Sequence, residues 1–390
     1  MSSEHAETTH AASASGYRNC FMTPPYVSGR KLDHGCARKD APAPEAGALQ
    51  APRPVASYCS NRQVPLPLRV QSPNRNRVDA MTQADPDLSA LLPACEREAR
   101  KQIGQGRVAN YIPALARINP NQFGMAVCGV DGREYVIGDS DAPFSIQSIS
   151  KVFTLALALQ SPGAPGVWQR VGREPSGNAF NSLVQLESEQ GLPRNPFINA
   201  GAIVITDVIT THFVSPVLQI LGLVRRYADC EDIYIDEEVA RSEEESGHRN
   251  AAIAHLLKSQ GNLNAGVDDV LAAYYRQCSI AMTCRDVARA FLPLAAAGRH
   301  PLTDETLMPA LRAKRINSLL LTCGLYDGVG NFAYRVGIPA KSGVGGGIAA
   351  VIPGHFSICV WSPELDELGN SLAGTRALEV FSRETNLSVF

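Results

Sequence analysis

From about residue 86 onward, β-rich runs stand at both ends of a long stretch whose apolar residues fall at helical spacing. That order narrows the fold sharply, because strands distant in the chain must meet in one sheet beside the helices that separate them. Met125–Val130 and Glu134–Ile137 are apolar runs joined at Asp131-Gly132, a dipeptide that favours the positive φ of tight hairpin turns. Further strands are expected at Phe332–Val336, Ile348–Ile352 and Phe356–Trp361. Helical spacing predicts helices at Leu88–Gly104, about Ser148–Gln160, Gly266–Gln277 and Leu372–Ser382. Another is expected over Cys284–Ala297, behind the capping box Thr283-x-x-Asp286. The fold class that follows is α/β in the α+β sense. It has an antiparallel sheet flanked by helices and a helical lobe over about residues 160–320, with a crevice between them as the natural site.

Residues 1–85 have a different character. They are rich in Pro, Ala, Ser and Arg (APAPEAG, APRPVAS, VPLPLR) and carry no sustained apolar period. Such a segment cannot bury enough surface to offset its chain entropy and is expected to be disordered. Met81 opens a well-patterned globular sequence. Two readings stand: Met81 is the true translation start, or the preceding residues are an interaction arm.

Composition excludes several classes. A net charge of −2 offers no basic field for nucleic acid. The apolar run Phe213–Val224 is broken by Pro216 and is too short to span a bilayer, so no membrane association is expected. The first residues lack the apolar core of an export signal, and the ten cysteines follow no disulfide or metal-ligand spacing. A cytoplasmic protein with reduced thiols and no metal or cofactor is expected. None of the eight histidines is placed as a triad base. His248, His255, His300 and His355 are read as structural or surface residues.

Two short motifs carry chemistry. Ser148-Ile149-Ser150-Lys151 is a Ser-x-x-Lys at the start of an apolar helix, which sets the lysine one turn along on the serine's face. Lysine can take the serine proton only if burial or a nearby cation lowers its pKa. The bland alternative is a serine N-cap followed by an exposed lysine. A second copy, Ser28-Gly29-Arg30-Lys31, lies in the Pro-rich segment where no helix is expected. The other motif is Lys341-Ser342-Gly343, followed by Val344-Gly345-Gly346-Gly347. Serine acyl-enzymes of the penicillin-recognising kind place Lys-Thr/Ser-Gly on a strand facing the nucleophile. A phosphate loop is disfavoured because Ala340, not glycine, precedes the lysine.

Longer strings extend these motifs. VANYIPALA, FSIQSISKVF, NPFINAGAI, the RNAA stretch from Arg249, YYRQCSI and GLYDGVGNFAYRVGIPAKSGVGGGI strongly resemble the serine-dependent glutaminases, over about Leu88 to the C-terminus. The resemblance implies a β-lactamase/transpeptidase-like fold and hydrolysis of L-glutamine to L-glutamate and ammonia through a seryl ester. It implies Ser148 as nucleophile, Lys151 as base and Tyr326 as proton relay. Asn199, Glu243, Asn250, Tyr274, Tyr326 and Tyr111 would bind substrate together with Ser148, and Val344 would offer its backbone N–H. It also implies a homodimer or homotetramer of the short bacterial type. Residue by residue, plainer readings remain open. Glu243 sits in an acidic run that could be a solvated face. Asn199 could be a turn residue, and Tyr274 and Tyr326 half-buried core.

Two rivals follow from the same motifs. A β-lactamase or transpeptidase shares the acyl-enzyme logic, but the chain has no Ser-Asp-Asn element. A catalytically silent glutamine-binding protein would not need Ser148, Lys151 and Lys341 together.

Overall fold

The computed structural model describes residues 87–390. The expected disordered segment, the Met81 start and the Ser28–Lys31 motif lie outside these residues. We label the principal elements in chain order. They are α1 (Leu88–Arg100), β1 (Gly124–Gly129), β2 (Glu134–Gly138), α2 (Ser150–Ala158), α3 (Asn199–His212) and α4 (Pro216–Ala228). Next come α5 (Glu237–Ser246), α6 (His248–Ser259), α7 (Val267–Cys278), α8 (Cys284–Ala295), α9 (Ala310–Cys323) and α10 (Val329–Arg335). Finally come β3 (Ala340–Ser342), β4 (Gly347–Ile352), β5 (Phe356–Trp361) and α11 (Leu372–Thr385).

The main sheet has five strands in the order β2-β1-β5-β4-β3, every neighbouring pair antiparallel. The hairpin forms where Asp131-Gly132 predicted it. Gly132 adopts φ +85°, and Gly129 N–H donates to Arg133 O at 2.8 Å. Strand period then sorts side chains between two cores. Met125, Val127, Ile348, Ala350, Ile358 and Val360 face a cluster with α1 and α11. Ala126, Cys128, Ala349, Val351, Cys359 and Trp361 face the other way, into the core shared with the helical lobe. Both faces are covered, so the strands β1, β4 and β5 are buried throughout.

The capping box at the start of α8 is present: Thr283 accepts from Asp286 N–H at 3.1 Å, and Asp286 accepts from Thr283 N–H at 2.9 Å. Buried on every side, α2 and the first eleven residues of α3 pack together in the centre of the lobe. A helix that is apolar all round belongs in a core. A short three-stranded sheet joins Phe144–Ser145 to Ile280–Met282 and Tyr234–Ile235, which ties the chain leading into Ser148 to the lobe. Among the described residues, no single helix is long and apolar enough to cross a membrane.

One expected strand is a helix. Phe332–Val336 lies in and just after α10. The β-prone run Phe-Ala-Tyr-Arg-Val would place Tyr334 beside Phe332 and Val336 on one face. Tyr334 is instead 91% exposed, while Phe332 and Val336 are buried and Val329 packs against the same cluster. Spacings of three and four along Val329, Phe332 and Val336 are helical, a period that a five-residue window is too short to show. Gly337 at φ +69° then ends the helix.

Candidate active site

Ser148 lies in a 3-10 turn, Gln147–Ile149, immediately before α2 rather than inside it, and it is 8% exposed. Its side chain does not cap the helix, so the bland N-cap reading fails. The preceding residue, Gln147, holds φ +49°, a left-handed conformation that a non-glycine residue keeps only under external constraint. Part of that constraint comes from β3 and the turn after it. A Cβ on Gly343 would stand 2.6 Å from Ile146 O and 3.3 Å from Ser148 N, and one on Gly345 would stand 2.4 Å from Ser145 O. Only glycine lets the Lys-Ser-Gly segment approach the serine turn this closely. Among the described residues, neither the Ser148 N–H nor the Val344 N–H has a backbone hydrogen-bond partner.

Lys151 stands one turn beyond Ser148 and is fully buried. Its Nζ donates to Asn199 Oδ1 at 2.7 Å and Phe197 O at 3.2 Å, and lies 6.0 Å from the centre of the Tyr274 ring. Burial brings its pKa down to about 8, against the opposing pull of Cys278 and Glu243. Asn199, the first residue of α3, passes the network on: its Nδ2 donates to Asn250 Oδ1 on α6 at 2.9 Å. The turn-residue alternative for Asn199 is therefore set aside.

Glu243 is not solvated. It is 6% exposed on α5, whereas Glu244 and Glu245 beside it are exposed. Desolvation pushes its carboxyl up to about 7, while the Gln147 amide and Lys151 act to lower it. Tyr274 on α7 is buried and its pKa is raised well above 10 by desolvation. Tyr326 occupies a turn at φ +50°, and burial pushes its hydroxyl up to about 12, against the neighbouring hydroxyls of Ser148 and Ser342.

These elements enclose a cavity of about 410 Å³. Ser148, Asn199, Glu243, Asn250, Tyr274 and Val344 line it, and Tyr111, 55% exposed, stands on its wall. Lys151 and Tyr326 are not on the wall but lie buried behind it. Lys341 is also fully buried away from the cavity; burial first, and Lys151 second, hold its pKa well below the usual lysine value. Gln147, Phe180, Arg249 and Cys278 line the cavity as well, and sequence reasoning had assigned none of them a role there. Gln147 and Cys278 fall inside the FSIQSISKVF and YYRQCSI strings, which was their only signal. Phe180 sits in a loop with no pattern to betray it. His300 is buried, its Nε2 3.0 Å from Tyr227 O, while His248, His255 and His355 are exposed. Among the described residues, no group of three or more His, Cys, Asp or Glu is placed to hold a metal ion.

A family model described as Glutaminase matches residues 106–390. A glutaminase from Rhizobium etli (strain CIAT 652) is 54% identical over 306 residues, 78% of this chain and 99% of that one. A thermolabile glutaminase of another Rhizobium etli strain is 55% identical over 306 residues, again 78% of this chain and 99% of its own. A solved structure of a probable glutaminase from Bacillus subtilis complexed with 6-diazo-5-oxo-L-norleucine superposes with a TM-score of 0.70 at 35% identity. It covers 80% of this chain and 99% of that chain. The described residues have the β-lactamase-like fold of such bacterial glutaminases. With a family match across nearly all of the described residues and relatives at more than half identity, the chain belongs to the glutaminase family.

Proposed function

We propose that this glutaminase hydrolyses the side-chain amide of L-glutamine through an ester on Ser148. Neutral Lys151 takes the Ser148 proton, and Oγ attacks the amide carbon. The resulting oxyanion is held by the N–H groups of Ser148 and Val344. Tyr326 relays the proton from the Lys151 ammonium to the departing nitrogen, the C–N bond breaks, and ammonia leaves a γ-glutamyl ester with Lys151 neutral again. Water then adds to the ester with Lys151 as base, releasing L-glutamate and restoring the serine.

The observation that carries this reading is a pair of unpartnered N–H groups, on Ser148 and Val344, at a cavity backed by a buried lysine with a pKa near 8. The rest of the wall suits an amino-acid head group. Glu243 pairs with the α-ammonium, and Asn199, Asn250 and the tyrosines Tyr274 and Tyr111 satisfy the α-carboxylate. A site that binds both ends of its substrate rejects analogues lacking either group by large factors. We further place the enzyme in the cytoplasm as a homodimer or homotetramer. The free thiols of all seven described cysteines fit a reducing compartment.

The deciding experiment compares ammonia release from L-glutamine and from L-asparagine, for the wild type and for Ser148→Ala. Glutamine-dependent release that vanishes in the variant is expected. Release that survives the substitution would remove Ser148 as nucleophile.

A further inference from the structure

We propose that Lys341 is a positioning residue that holds Tyr326 against Ser148; this deepens, and rests on, the assignment of Tyr326 as proton relay. Hydrolases with a Lys-Thr/Ser-Gly motif place it on a strand facing the nucleophile. Here Lys341 is 0% exposed, is absent from the cavity wall, and uses its Nζ on two backbone carbonyls: Gly324 O at 2.8 Å and Ser342 O at 2.6 Å. The same Nζ lies 4.5 Å from the centre of the Tyr326 ring.

The chain around Tyr326 requires such a brace. Tyr326 sits at φ +50°, unfavourable for any residue with a side chain. Its buried hydroxyl, beside those of Ser148 and Ser342, has no hydrogen-bond partner of ordinary geometry among the described residues. The phenol therefore cannot hold itself in place. Two residues upstream, Gly324 abuts β3 so closely that a Cβ there would stand 1.8 Å from Ala340 O. Its carbonyl accepts from both Lys341 Nζ and Ser342 N–H, the latter at 3.3 Å. Lys341 thus joins the start of the Tyr326 turn to the strand that carries Ser342 and bears on the ring itself. Phe180 supports the ring too, with centroids 4.6 Å apart.

The test is a mutant cycle in the full-length enzyme, with a spectroscopic arm. Lys341→Met should lower kcat at least about 30-fold with KM within about 3-fold, because the lysine does not touch substrate. In a Tyr326→Phe background the same substitution should change kcat by less than about 3-fold, since a residue acting through another loses its effect with it. With 3-fluorotyrosine placed at position 326, Lys341→Met should shift and broaden the ¹⁹F resonance. Lys341→Gln keeps two N–H donors with shorter reach; it should give an intermediate loss, and it carries the same cycle if the Met variant fails to fold. Equal losses in both backgrounds with an unmoved resonance would overturn the proposal, as would a large rise in KM. If Tyr326→Phe is fully active while the resonance still moves, the contact stands and the relay assignment falls.

Discussion

Lys151 Nζ donates to Asn199 Oδ1 at 2.7 Å, and through that amide the buried lysine is joined to Asn250 on α6. With a second N–H on Phe197 O, a neutral amine has both protons engaged and its lone pair left for the Ser148 proton. In the proposed mechanism the lysine must be uncharged to act, and its pKa of about 8 sets where that happens. The kcat/KM for glutamine should therefore climb with pH and level off above about 8, losing about tenfold per unit between about 8 and about 7 and more steeply below, where Glu243 is protonated as well. Asn199→Asp would place a carboxylate on the ammonium and favour the charged form. The acid limb should move up by more than about one pH unit, as a pH–rate profile of the variant would record.

Ser148→Ala should cut kcat by about 10⁴-fold or more, the usual cost of deleting a nucleophile. Because Ser148 caps no helix, thermal unfolding should shift little. Intact-mass spectrometry after incubation with 6-diazo-5-oxo-L-norleucine should find a covalent adduct on the wild type and none on the variant.

Glu243, with its carboxyl raised to about 7 by burial, gives substrate binding its own pH dependence. In the proposed binding mode the charged form pairs with the α-ammonium, and a raised pKa means that form is lost as pH falls through about 7 in the free enzyme. KM for glutamine should rise accordingly at acid pH. Glu243→Gln should raise KM by about 100-fold, in line with about 3 kcal/mol for a buried charge-assisted contact, and should abolish that pH dependence. Initial-rate kinetics from pH 5.5 to 8.5 would check both.

Gly343→Ala tests the close approach of β3 to the serine turn. A Cβ 2.6 Å from Ile146 O must displace backbone on one side or the other. Overpacking of this kind costs about 1–3 kcal/mol. The variant should unfold at lower urea and lose at least about 100-fold in kcat, since a displacement near 1 Å at the reacting atoms is enough for that.

Asp207, fully buried on α3, accepts from Arg170 Nη2 at 2.6 Å, Asn264 N–H at 3.0 Å and Ala265 N–H at 2.7 Å. Asp207→Ala would leave Arg170 with its Asn262 bonds but no carboxylate, beside two unpaired amides, and should cost about 3–5 kcal/mol, measured as a drop in the urea midpoint.

Much of the architecture could be read from the chain because period and turn chemistry are local. The apolar runs of β1, β4 and β5, Asp131-Gly132 at the hairpin and the Thr283–Asp286 box each depend on a few neighbouring residues. Where the period was too short to see, at Val329, Phe332 and Val336, the strand expectation gave way to a helix.

The chemical residues divide in the same way. Ser148 and Lys151 are three residues apart, so helical spacing alone sets them on one face, and the long strings around them carry the family resemblance. What the sequence could not decide is burial. Glu243 and its neighbours Glu244 and Glu245 are the same residue type in one run, and only the packing of α5 takes one carboxylate out of water. Lys151 and Lys341 are both lysines of recognised motifs, yet one lies behind the serine and the other beneath a tyrosine ring. Desolvation and close approach depend on elements up to about two hundred residues away, and so tertiary structure alone determines which charges are shifted and which backbone N–H groups at the cavity are left without a partner.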